Sequence, residues 1–511
     1  MLRQATATLL ANQRTNIFKS LASITSFQFI CLSNPLTTYY RHHNNSSRRV
    51  STLTSQKVTE ILSRNEIDLE KSVLPSYIRS LECNQLASNS PIEDRLRVAT
   101  LKLPGSKEPT LLLGVFDGHG GGTTVDLISR RLFDYIALSL HPEPSKAQIS
   151  NQGELRTIVQ DLHNAPNLHH DDSHLRAAAL KGLLEYRDYL MSTNIDIVSR
   201  LKSSFQHCDD DLAKEIQDNL TNPNISKTLL HHYLSATVSG CCAVVVVFHD
   251  GIAYVVSSGD CRAVLGLHNN QTIDLSEKLN ATNRSNEEPD RVVSTDSFKA
   301  YDLNEEHNCD NINEIRRLAA QHPKSEQNTM IKHNRLLGHL MPFRAFGDYT
   351  YKWPINLIEK CGITRVFGAG VIPSHYETPP YLIVEPDINI IKLLEKDMNL
   401  GVEIGKDYQK YLIMASDGLW ELFESSRDVI ETIVDHAHNS LDEAKQGDYD
   451  RNSATYLLRS ALRFGPHQDI GLDLDKLRKL YHIRLESTLT LPKSVVRNFR
   501  DDISIIVVRL N

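Results

Sequence analysis

Acidic residues stand at the ends of several apolar stretches, where side chains of this kind can bind metal ions. One apolar run leads directly into Asp117, and another leads into Asp417. In a third place, Asp501 and Asp502 come just before the apolar segment from Ile503 to Leu510. The end of one antiparallel strand lies beside the start of its neighbour, so acids at these positions can meet at one edge of a sheet.

A fourth acidic pair, Glu93 and Asp94, precedes the extended run from Arg95 to Leu103. Carboxylates brought together repel each other unless cations neutralise them, and hard ions such as Mg²⁺ and Mn²⁺ prefer oxygen ligands. Gly118 follows Asp117, and a residue without Cβ lets its own carbonyl approach an ion closely. One acidic turn after a strand would be ordinary structure, but its recurrence favours a site for more than one divalent cation. Two such ions can activate water and stabilise a transferring phosphoryl group.

Two further residues lie close to these stretches. His119 places an imidazole beside Asp117 at the rim of the predicted core. Asp260 lies in a turn between two apolar strands. It could be only a turn former, or it could reach the metal edge.

The start of the chain has a distinct composition. The first 59 residues contain no Asp or Glu but carry seven Lys or Arg. Such acid-free leaders, rich in Arg and Ser, are typical of mitochondrial presequences. The sequence predicts a presequence over residues 1–50, cut near Arg49-Val50-Ser51. A disordered basic tail is the alternative.

The rest of the chain is acidic. Without residues 1–50 it holds 50 Lys and Arg against 63 Asp and Glu, a net charge of −13, which argues against nucleic acid as a partner. The eight cysteines show no C-x-x-C spacing, which speaks against a zinc ribbon or a redox motif and fits a reducing compartment. No apolar run is long enough for a transmembrane segment. We expect a protein of the mitochondrial matrix.

The hydrophobic patterns predict both helices and strands. Segment 55–88 is expected to contain a short helix and irregular structure, and segments 141–172 and 276–311 are expected to be insertions without regular structure. A strand is predicted over 237–248, followed by a hairpin at Asp250-Gly251. Helices are predicted over 123–140, within 175–220, over 312–321, from 427 and over 453–464.

Six motifs follow one another along the chain, and together they resemble those of a known family. They are Glu93-Asp94, Asp117-Gly-His-Gly120, Ser258-Gly-Asp-Cys-Arg262, Arg344-Ala-Phe-Gly-Asp348, Ser416-Asp-Gly-Leu-Trp-Glu421 and Asp501-Asp-Ile-Ser504. In this order they resemble the type 2C metal-dependent protein serine/threonine phosphatases. Because the motifs span residues 93 to 504, chance similarity is a poor explanation.

The resemblance implies an α+β fold. Its centre would be a β-sandwich of two antiparallel sheets flanked by helical pairs, in four layers, with the metals at one end. The catalytic domain would cover residues 89–511, with the insertions near 141–172 and 276–311. An N-terminal extension over 51–88 would connect it to the presequence.

The resemblance also implies a set of metal ligands. Matched position by position, Asp117 would bridge two Mg²⁺ or Mn²⁺ ions. Asp417 and Asp501 would complete the ligands of one ion. Glu93 and the carbonyl of Gly118 would serve the other.

Four more residues match the family's pattern. Asp94 would hold a water of the metal site, and His119 would be the general acid that protonates the departing serine oxygen. Asp260 and Glu421 match a weaker third metal site. The family often has Asp where this chain has Glu421, so the third site is a less close match.

One position departs from the family. Many members place an Arg four residues before the glutamate, where it binds the substrate phosphate in a bidentate manner. Here that position is Asn89, which offers a neutral amide. We therefore expect weaker intrinsic affinity for phosphate, compensated by docking to a large complex that raises the local substrate concentration.

Four segments resemble more closely the branch of the family that acts on the mitochondrial pyruvate dehydrogenase complex. They are residues 89–95, 322–326, 336–353 and 378–382. This resemblance implies phosphoserine on the pyruvate dehydrogenase α subunit as substrate, with docking to a lipoyl domain of the acyltransferase core and assistance from Ca²⁺. A regulatory subunit would be a further partner. The sequence has no EF-hand loop, so a Ca²⁺ site would have to be shared with the partner.

Two alternatives stay open at this point. The first is another mitochondrial phosphatase of the same family, acting for instance on the branched-chain dehydrogenase complex. The second is a catalytically inactive scaffold with the same fold. A degenerate member would have lost metal ligands, whereas the acids expected at the metal site are all present: Glu93, Asp94, Asp117, Asp417 and Asp501.

Overall fold

The computed structural model describes residues 53–149, 159–163, 173–269, 298–393, 408–443, 450–464 and 474–511. One compact unit runs from Gln56 to Asn511. The predicted presequence lies outside the described residues. Among the helices that are described, none combines the length and the apolar character needed to cross a membrane.

Helices and strands are numbered here in chain order through the described residues. The helices are α1 Ser55–Leu62, α2 Thr123–Leu140, α3 Ser173–Ser192, α4 Ile197–Leu220, α5 Lys227–Val238, α6 Ile312–Gln321, α7 Ile355–Lys360, α8 Ile363–Phe367, α9 Asp417–Trp420, α10 Ser426–Glu443, α11 Ser453–Phe464 and α12 Leu474–Leu489. The strands are β1 Ile67–Leu69, β2 Ile78–Leu86, β3 Arg95–Leu101, β4 Thr110–His119, β5 Val159–His163, β6 Gly240–His249, β7 Ile252–Ser258, β8 Arg262–Asn269, β9 Phe298–Asp302, β10 Ile331–Lys332, β11 Arg335–Leu336, β12 Phe346–Gly347, β13 Asp387–Lys392, β14 Tyr408–Ala415 and β15 Ile503–Leu510.

Two antiparallel sheets form the centre of the fold. One has the strand order β1-β2-β15-β14-β8-β9, and the other has the order β13-β7-β6-β4-β3-β5, with β12 paired to β6. Strand β6 is buried at every position except its last residue. A strand covered on both faces carries a continuous apolar run instead of an alternating one, as β6 does.

Helices cover both sheets. Helix α2 packs against β3, β4 and β6, whereas α10 and α11 pack against the other sheet at β8, β9, β2 and β15. Side chains from both sheets, such as Val115 of β4 and Met414 of β14, belong to one buried core. The predicted α+β sandwich of two antiparallel sheets between helices is confirmed.

Local sequence signals explain several of these elements. The turn between β6 and β7 has positive φ angles at Asp250 and Gly251, 48° and 77°, which an Asp-Gly pair accommodates well. In α2, the side chains of Ile128, Leu132 and Ile136 are fully buried, as the helical spacing of these residues predicts. Helices α2, α6 and α11 have the predicted bounds.

Four segments differ from the sequence predictions. Strand β2 lies in the segment 55–88, which was expected to contain only a short helix and irregular structure, and it pairs with β15 near the middle of its sheet. The strand predicted over 237–248 begins at Gly240, because Thr237 and Val238 end α5. Strands β5 and β9 lie in the two expected insertions and pair with β3 and β8. In each new strand, the hydrogen bonds come from a partner distant in sequence, which local propensity does not show.

Candidate metal centre

In the seven-stranded sheet, pairing brings two acidic segments together. Strand β4 ends with Asp117, Gly118 and His119, and antiparallel pairing places the start of β3 beside this end. Glu93 and Asp94 precede β3. A Cβ on Gly118 would collide with the backbone carbonyl of Glu93, so glycine is required for this close approach. The two acidic segments therefore share one edge of the sheet.

The six-stranded sheet brings three more acids to its own edge. Strand β14 ends at Ala415, and the starts of β15 and β8 lie beside that end. Asp417 follows β14 as the first residue of α9, Asp501 precedes β15, and Asp260 precedes β8. Antiparallel register thus gathers residues that are far apart in the sequence.

Three aspartates from the two sheets form a compact cluster. Asp117, Asp260 and Asp417 each offer a carboxylate oxygen, and these oxygens lie within 4.8 Å of one another. Oδ1 of Asp417 is buried and has no hydrogen-bond partner among the described residues. Burying such an oxygen without a partner is costly, and a divalent cation with oxygen ligands would offset this cost. The donor set therefore fits Mg²⁺ or Mn²⁺.

The electrostatics of the cluster point the same way. Burial raises the pKa of Asp117 well above its ordinary value, and the charges of Asp417, Asp94 and Asp260 raise it further. The pKa of Asp417 is raised by burial and then by the charges of Asp260 and Asp501. These shifts mean that the ionised cluster is unfavourable unless a cation joins it.

Asp94 is almost fully buried and held by hydroxyl groups. Its Oδ2 accepts a hydrogen bond from Oγ of Ser416 at 2.7 Å, and the same Oγ accepts the backbone N–H of Ser504 at 3.0 Å. Burial and the charge of Asp502 raise the pKa of Asp94 to about 7, although the Ser416 hydrogen bond lowers it. Ser416 therefore fixes Asp94 between the ends of β3, β14 and β15.

The imidazole of His119 is held by a carboxylate, that of Asp348. Nε2 of His119 lies 2.6 Å from Oδ2 of Asp348, and a Cβ on Gly240 would collide with both groups. Burial lowers the pKa of His119, but the charge and hydrogen bond of Asp348 outweigh it, and with Asp260 and Glu93 they raise the pKa overall. Nδ1 of His119 makes no hydrogen bond within the described chain. Nε2 is therefore the ring nitrogen that the fold holds in place.

The neighbouring acids Asp501 and Asp502 have different partners. Oδ2 of Asp501 lies 2.5 Å from Nη1 of Arg497. Asp502 accepts the backbone N–H groups of Asn89 and Glu93, both at 2.8 Å, and Nδ2 of Asn89 at 3.0 Å. Asp502 therefore ties the segment that carries Glu93 to the C-terminal strand.

The predicted site residues thus converge on one edge of the sandwich. Asp260, which could have been only a turn former, lies in the compact cluster. Glu421 is exposed, although burial and the charge of Asp501 raise its pKa. The amide of Asn89 is engaged by Asp502.

Three residues that contact the site were not assigned a role from the sequence. Asp348 ends one of the six motifs, so that motif could have pointed to it. Asp502 is adjacent to Asp501, which was assigned. Arg497 gave no such signal, because its ion pair depends on the backbone of a short helical turn at Val496–Asn498.

Comparison with known proteins identifies the family. The family model for protein phosphatase 2C matches residues 149–462. The chain is 33% identical to the mitochondrial [pyruvate dehydrogenase [acetyl-transferring]]-phosphatase 1 of Pongo abelii, over 92% of this chain and 86% of that protein. The chain belongs to the protein phosphatase 2C family.

The chain is also similar to a second mitochondrial phosphatase, and the comparison with solved structures gives a further match. It is 30% identical to the mitochondrial [pyruvate dehydrogenase [acetyl-transferring]]-phosphatase 2 of Homo sapiens, over 90% of this chain and 84% of that protein. The crystal structure of serine-threonine phosphatase 2C from Toxoplasma gondii covers 87% of this chain and 99% of that chain, with a TM-score of 0.38 and 14% identity.

The family resemblance inferred from the six motifs is therefore confirmed. This phosphatase 2C is a metal-dependent protein serine/threonine phosphatase. The mitochondrial location predicted from the leader is confirmed by the two mitochondrial relatives. The matrix compartment, the number of ions and the role of each site residue stay predictions.

Proposed function

We propose that this phosphatase 2C hydrolyses phosphoserine on the α subunit of pyruvate dehydrogenase and so reactivates that complex. The observation that carries the proposal is the 33% identity to a pyruvate dehydrogenase phosphatase, which extends over 92% of this chain. The acidic charge of the chain without its leader also fits a protein substrate better than a nucleic acid.

Two metal ions are assigned to the clustered acids. Asp117 would be a ligand shared by both ions, Asp417 and Asp501 would complete the ligands of one, and Glu93 with the Gly118 carbonyl would serve the other. The unpartnered Oδ1 of Asp417 supports this assignment. When bound, two Mg²⁺ or Mn²⁺ ions supply the positive charge that activates the attacking water and offsets the charge of the phosphoryl group.

A weaker third metal site is assigned to Asp260 and Glu421. Asp260 belongs to the same cluster as Asp117 and Asp417, which supports its role as a ligand. Glu421 is exposed as a residue, so water can compete with its carboxylate for an ion. An ion held between these two residues would therefore exchange more readily than the others.

Two protein groups handle the proton and the water. His119 passes a proton from Nδ1 to the departing serine oxygen while Asp348 holds its Nε2, an arrangement supported by the 2.6 Å contact. Asp94 would hold a water of the metal site, and the hydrogen bond from Ser416 fixes the orientation of its carboxylate for this task.

Docking provides affinity that the phosphate site lacks. The side chain of Asn89 donates to Asp502 and offers only a neutral amide, so we expect the enzyme to depend on binding to a lipoyl domain of the acyltransferase core. Ca²⁺ would bind at the interface between the two proteins, and a regulatory subunit would be a further partner.

The substrate is tested on intact complexes. Phosphate release from the phosphorylated pyruvate dehydrogenase complex is compared with release from the phosphorylated branched-chain dehydrogenase complex, at matched phosphate concentration and with Mn²⁺. We expect kcat/KM to be at least about tenfold higher on the first complex, because docking raises the local substrate concentration. Equal or faster release from the branched-chain complex would reject the proposal in favour of the alternative substrate.

Two controls complete this experiment. The Asp117→Asn variant should release phosphate from either complex at least about a thousandfold more slowly, and Mn²⁺-dependent activity kept by that variant would contradict the metal assignment. An isolated lipoyl domain added in excess, with Ca²⁺, should slow release from the pyruvate dehydrogenase complex. Release at an unchanged rate would argue against docking through that domain.

The proposed domain organisation follows from the composition of the leader and from the positions of the family motifs. Residues 1–50 form a presequence, 51–88 an N-terminal extension and 89–511 the catalytic domain, with insertions near 141–172 and 276–311. N-terminal sequencing of the protein purified from the mitochondrial matrix should begin near residue 51. A mature protein that retains the leader would favour the alternative of a basic tail.

A further inference from the structure

In many members of the family an arginine supplies a cation for the substrate phosphate beside the metal site. Asn89 cannot supply it, because its side chain is neutral and its Nδ2 donates to Asp502 at 3.0 Å. A phosphate monoester carries nearly two negative charges, and guanidinium groups bind it through two parallel hydrogen bonds. Another arginine near the clustered acids could therefore take this part.

Most arginines next to the site acids are already committed to structural contacts. The side chain of Arg95 is 8% exposed and bonds to Asp126, and that of Arg262 is 25% exposed and bonds to Glu306. Arg500 donates to the hydroxyl of Ser88 and the carbonyl of Ala87. These three guanidinium groups are held by the protein itself and offer little to a ligand.

Arg497 differs from them in exposure and in bonding. Its side chain is 51% exposed, and Nη1 lies 2.5 Å from Oδ2 of Asp501. In the described part of the chain, Nε and Nη2 have no hydrogen-bond partner. One edge of the planar guanidinium is thus fixed on a predicted metal ligand, and the opposite edge carries two unused N–H donors.

The charge of Arg497 also reaches other acids of the site. Burial raises the pKa values of Glu93 and Glu421, and the charge of Arg497 opposes this rise at both residues. The positive charge of Arg497 therefore acts on acids assigned to different ions. Such a position is suitable for contact with a phosphate that is held by those ions.

We propose that Arg497 binds the substrate phosphate through its Nε and Nη2 atoms while Nη1 stays on Asp501. The ion pair holds the guanidinium in place before substrate arrives, which lowers the entropy lost on binding. Arg497 thus supplies the cation that is missing at position 89, from the C-terminal side of the site. The inference rests on the phosphatase activity but not on pyruvate dehydrogenase as the substrate.

A structural role for Arg497 would have different consequences. If Arg497 only orients Asp501, its removal should weaken metal binding, and phosphate binding should weaken only as a result. If Arg497 binds phosphate, removal should weaken phosphate binding at saturating metal and leave metal affinity nearly unchanged. Measuring the two affinities separately distinguishes these roles.

The test uses the variants Arg497→Gln and Arg497→Lys in the full chain. Hydrolysis of p-nitrophenyl phosphate at saturating Mn²⁺ gives KM and kcat, inhibition by inorganic phosphate gives Ki, and Mn²⁺ titration followed by electron paramagnetic resonance gives the metal affinity. For Arg497→Gln we expect KM and Ki to rise together by about tenfold or more, since charged hydrogen bonds are lost. Mn²⁺ affinity should stay within about twofold. For Arg497→Lys, KM and Ki should lie between those of the wild type and of Arg497→Gln, because an ammonium keeps the charge but loses the bidentate geometry.

Arg427→Gln is the matched control. Like Arg497, Arg427 is exposed and forms an ion pair with an acid four residues further on. Its Nε lies 2.8 Å from Oε1 of Glu431, which is not an acid of the site. This control should leave KM, Ki and Mn²⁺ affinity unchanged. An unchanged Ki in Arg497→Gln would overturn the proposal, and so would a loss of Mn²⁺ affinity equal to the loss of phosphate affinity. If Arg497→Gln does not fold, an unchanged Ki in Arg497→Lys overturns it instead.

The probes also separate this inference from the proposed physiological substrate. p-Nitrophenyl phosphate and inorganic phosphate make no use of a docking partner. A result against Arg497 would therefore leave the assignment to pyruvate dehydrogenase untouched. Failure on the pyruvate dehydrogenase complex would likewise leave the role of Arg497 to be decided by Ki.

Discussion

Two groups of acids in this phosphatase 2C are neutralised in opposite ways. Around Arg344, the protein supplies its own cation: Glu314 accepts from Nε at 3.0 Å and from Nη2 at 2.5 Å, and Asp387 accepts from Nη1 at 3.0 Å. At the metal edge, Asp117 and Asp417 face other acids within 4.8 Å. The first group is complete, whereas the second requires a cation from solution.

The pKa directions express the same difference. Burial alone would raise the pKa of Glu314, but the hydrogen bonds and charges of Arg344 and Arg317 lower it. At the metal edge, burial and neighbouring acids both raise the pKa of Asp117. The comparison teaches that burial alone does not reveal a metal site. The distinguishing feature is a group of buried acids to which the fold brings no matching cation.

The largest expected effect comes from replacing the acid at the centre of the metal edge. Asp117→Asn should lower Mn²⁺-dependent hydrolysis of a phosphopeptide by about a thousandfold or more, because the shared ligand of the ions is lost. The same change should leave the metal-free protein as stable as before or make it more stable, since it removes one repelling charge.

Circular dichroism melting in a chelator provides the stability measurement for that variant. Asp188→Asn, on an exposed side chain of α3, serves as the control and should change neither property. If Asp117→Asn kept its Mn²⁺-dependent activity, the assignment of the metal centre would be wrong.

The next effect tests the group that the protein completes by itself. Glu314→Gln should lower the free energy of unfolding by about 3 kcal/mol, because it removes the buried negative charge that pairs with both Arg344 and Arg317. The folded fraction should keep its kcat, since the change is not at the metal edge. Urea unfolding measures the free energy of unfolding.

Glu431→Gln is the control. It breaks an exposed ion pair and should lower the free energy of unfolding by less than about 1 kcal/mol. Equal losses in the two variants would contradict the difference drawn between buried and exposed pairs.

The acids that cluster at the metal edge could largely be predicted from the sequence. The residues that contact and position these acids were harder to predict. Asp117 and Asp417 could be predicted because each lies at the end of an apolar strand. The apolar run and the turn residues after it are visible in the local sequence. The Asp260 position stayed ambiguous, since a turn acid looks the same whether or not it faces other acids. Asp348 was missed because its contact with His119 depends on how distant segments pack. Arg497 was missed because its ion pair with Asp501, four residues further on, depends on a short helical turn at Val496–Asn498.

Contacts between segments that are distant in the sequence also explain why some strands were not predicted. Strand β2 has no clear alternation, and its place beside β15 depends on a partner more than four hundred residues away. Strands β5 and β9 likewise form through pairing with β3 and β8. Helix α2, in contrast, has a strong apolar period of its own and was predicted with its bounds.

A third prediction separates the two groups by metal binding. Mn²⁺ at about one hundred times its dissociation constant should stabilise the wild-type protein by about 2.7 kcal/mol, because it binds the folded state. Asp417→Asn should lose most of this stabilisation, since it removes the carboxylate with the unpartnered oxygen. Glu314→Gln should keep it in full. Thermal unfolding with and without Mn²⁺ provides the measurement, and equal stabilisation of Asp417→Asn and wild type would reject Asp417 as a ligand.

The smallest effect concerns Asp348, an acid at the metal edge whose partner is a protein group. Asp348→Asn should lower kcat for a phosphoserine peptide by about tenfold to a hundredfold, because His119 loses the charge that holds Nε2 and favours its protonated form. Mn²⁺ affinity should not change, since Asp348 is not assigned to an ion. KM should change less than kcat, because the proton is needed as the bond breaks.

The leaving group provides the decisive readout for this last variant. A serine alkoxide is a poor leaving group and needs the proton of His119, whereas p-nitrophenolate leaves readily without it. Asp348→Asn should therefore slow the phosphoserine peptide much more than p-nitrophenyl phosphate. His119→Gln should show the same selectivity, and the double variant should be hardly slower than His119→Gln alone, because the two residues act as a unit. Equal slowing of both substrates would mean that Asp348 only supports the fold around Gly240, and the metal edge would then contain no acid that acts through a protein partner.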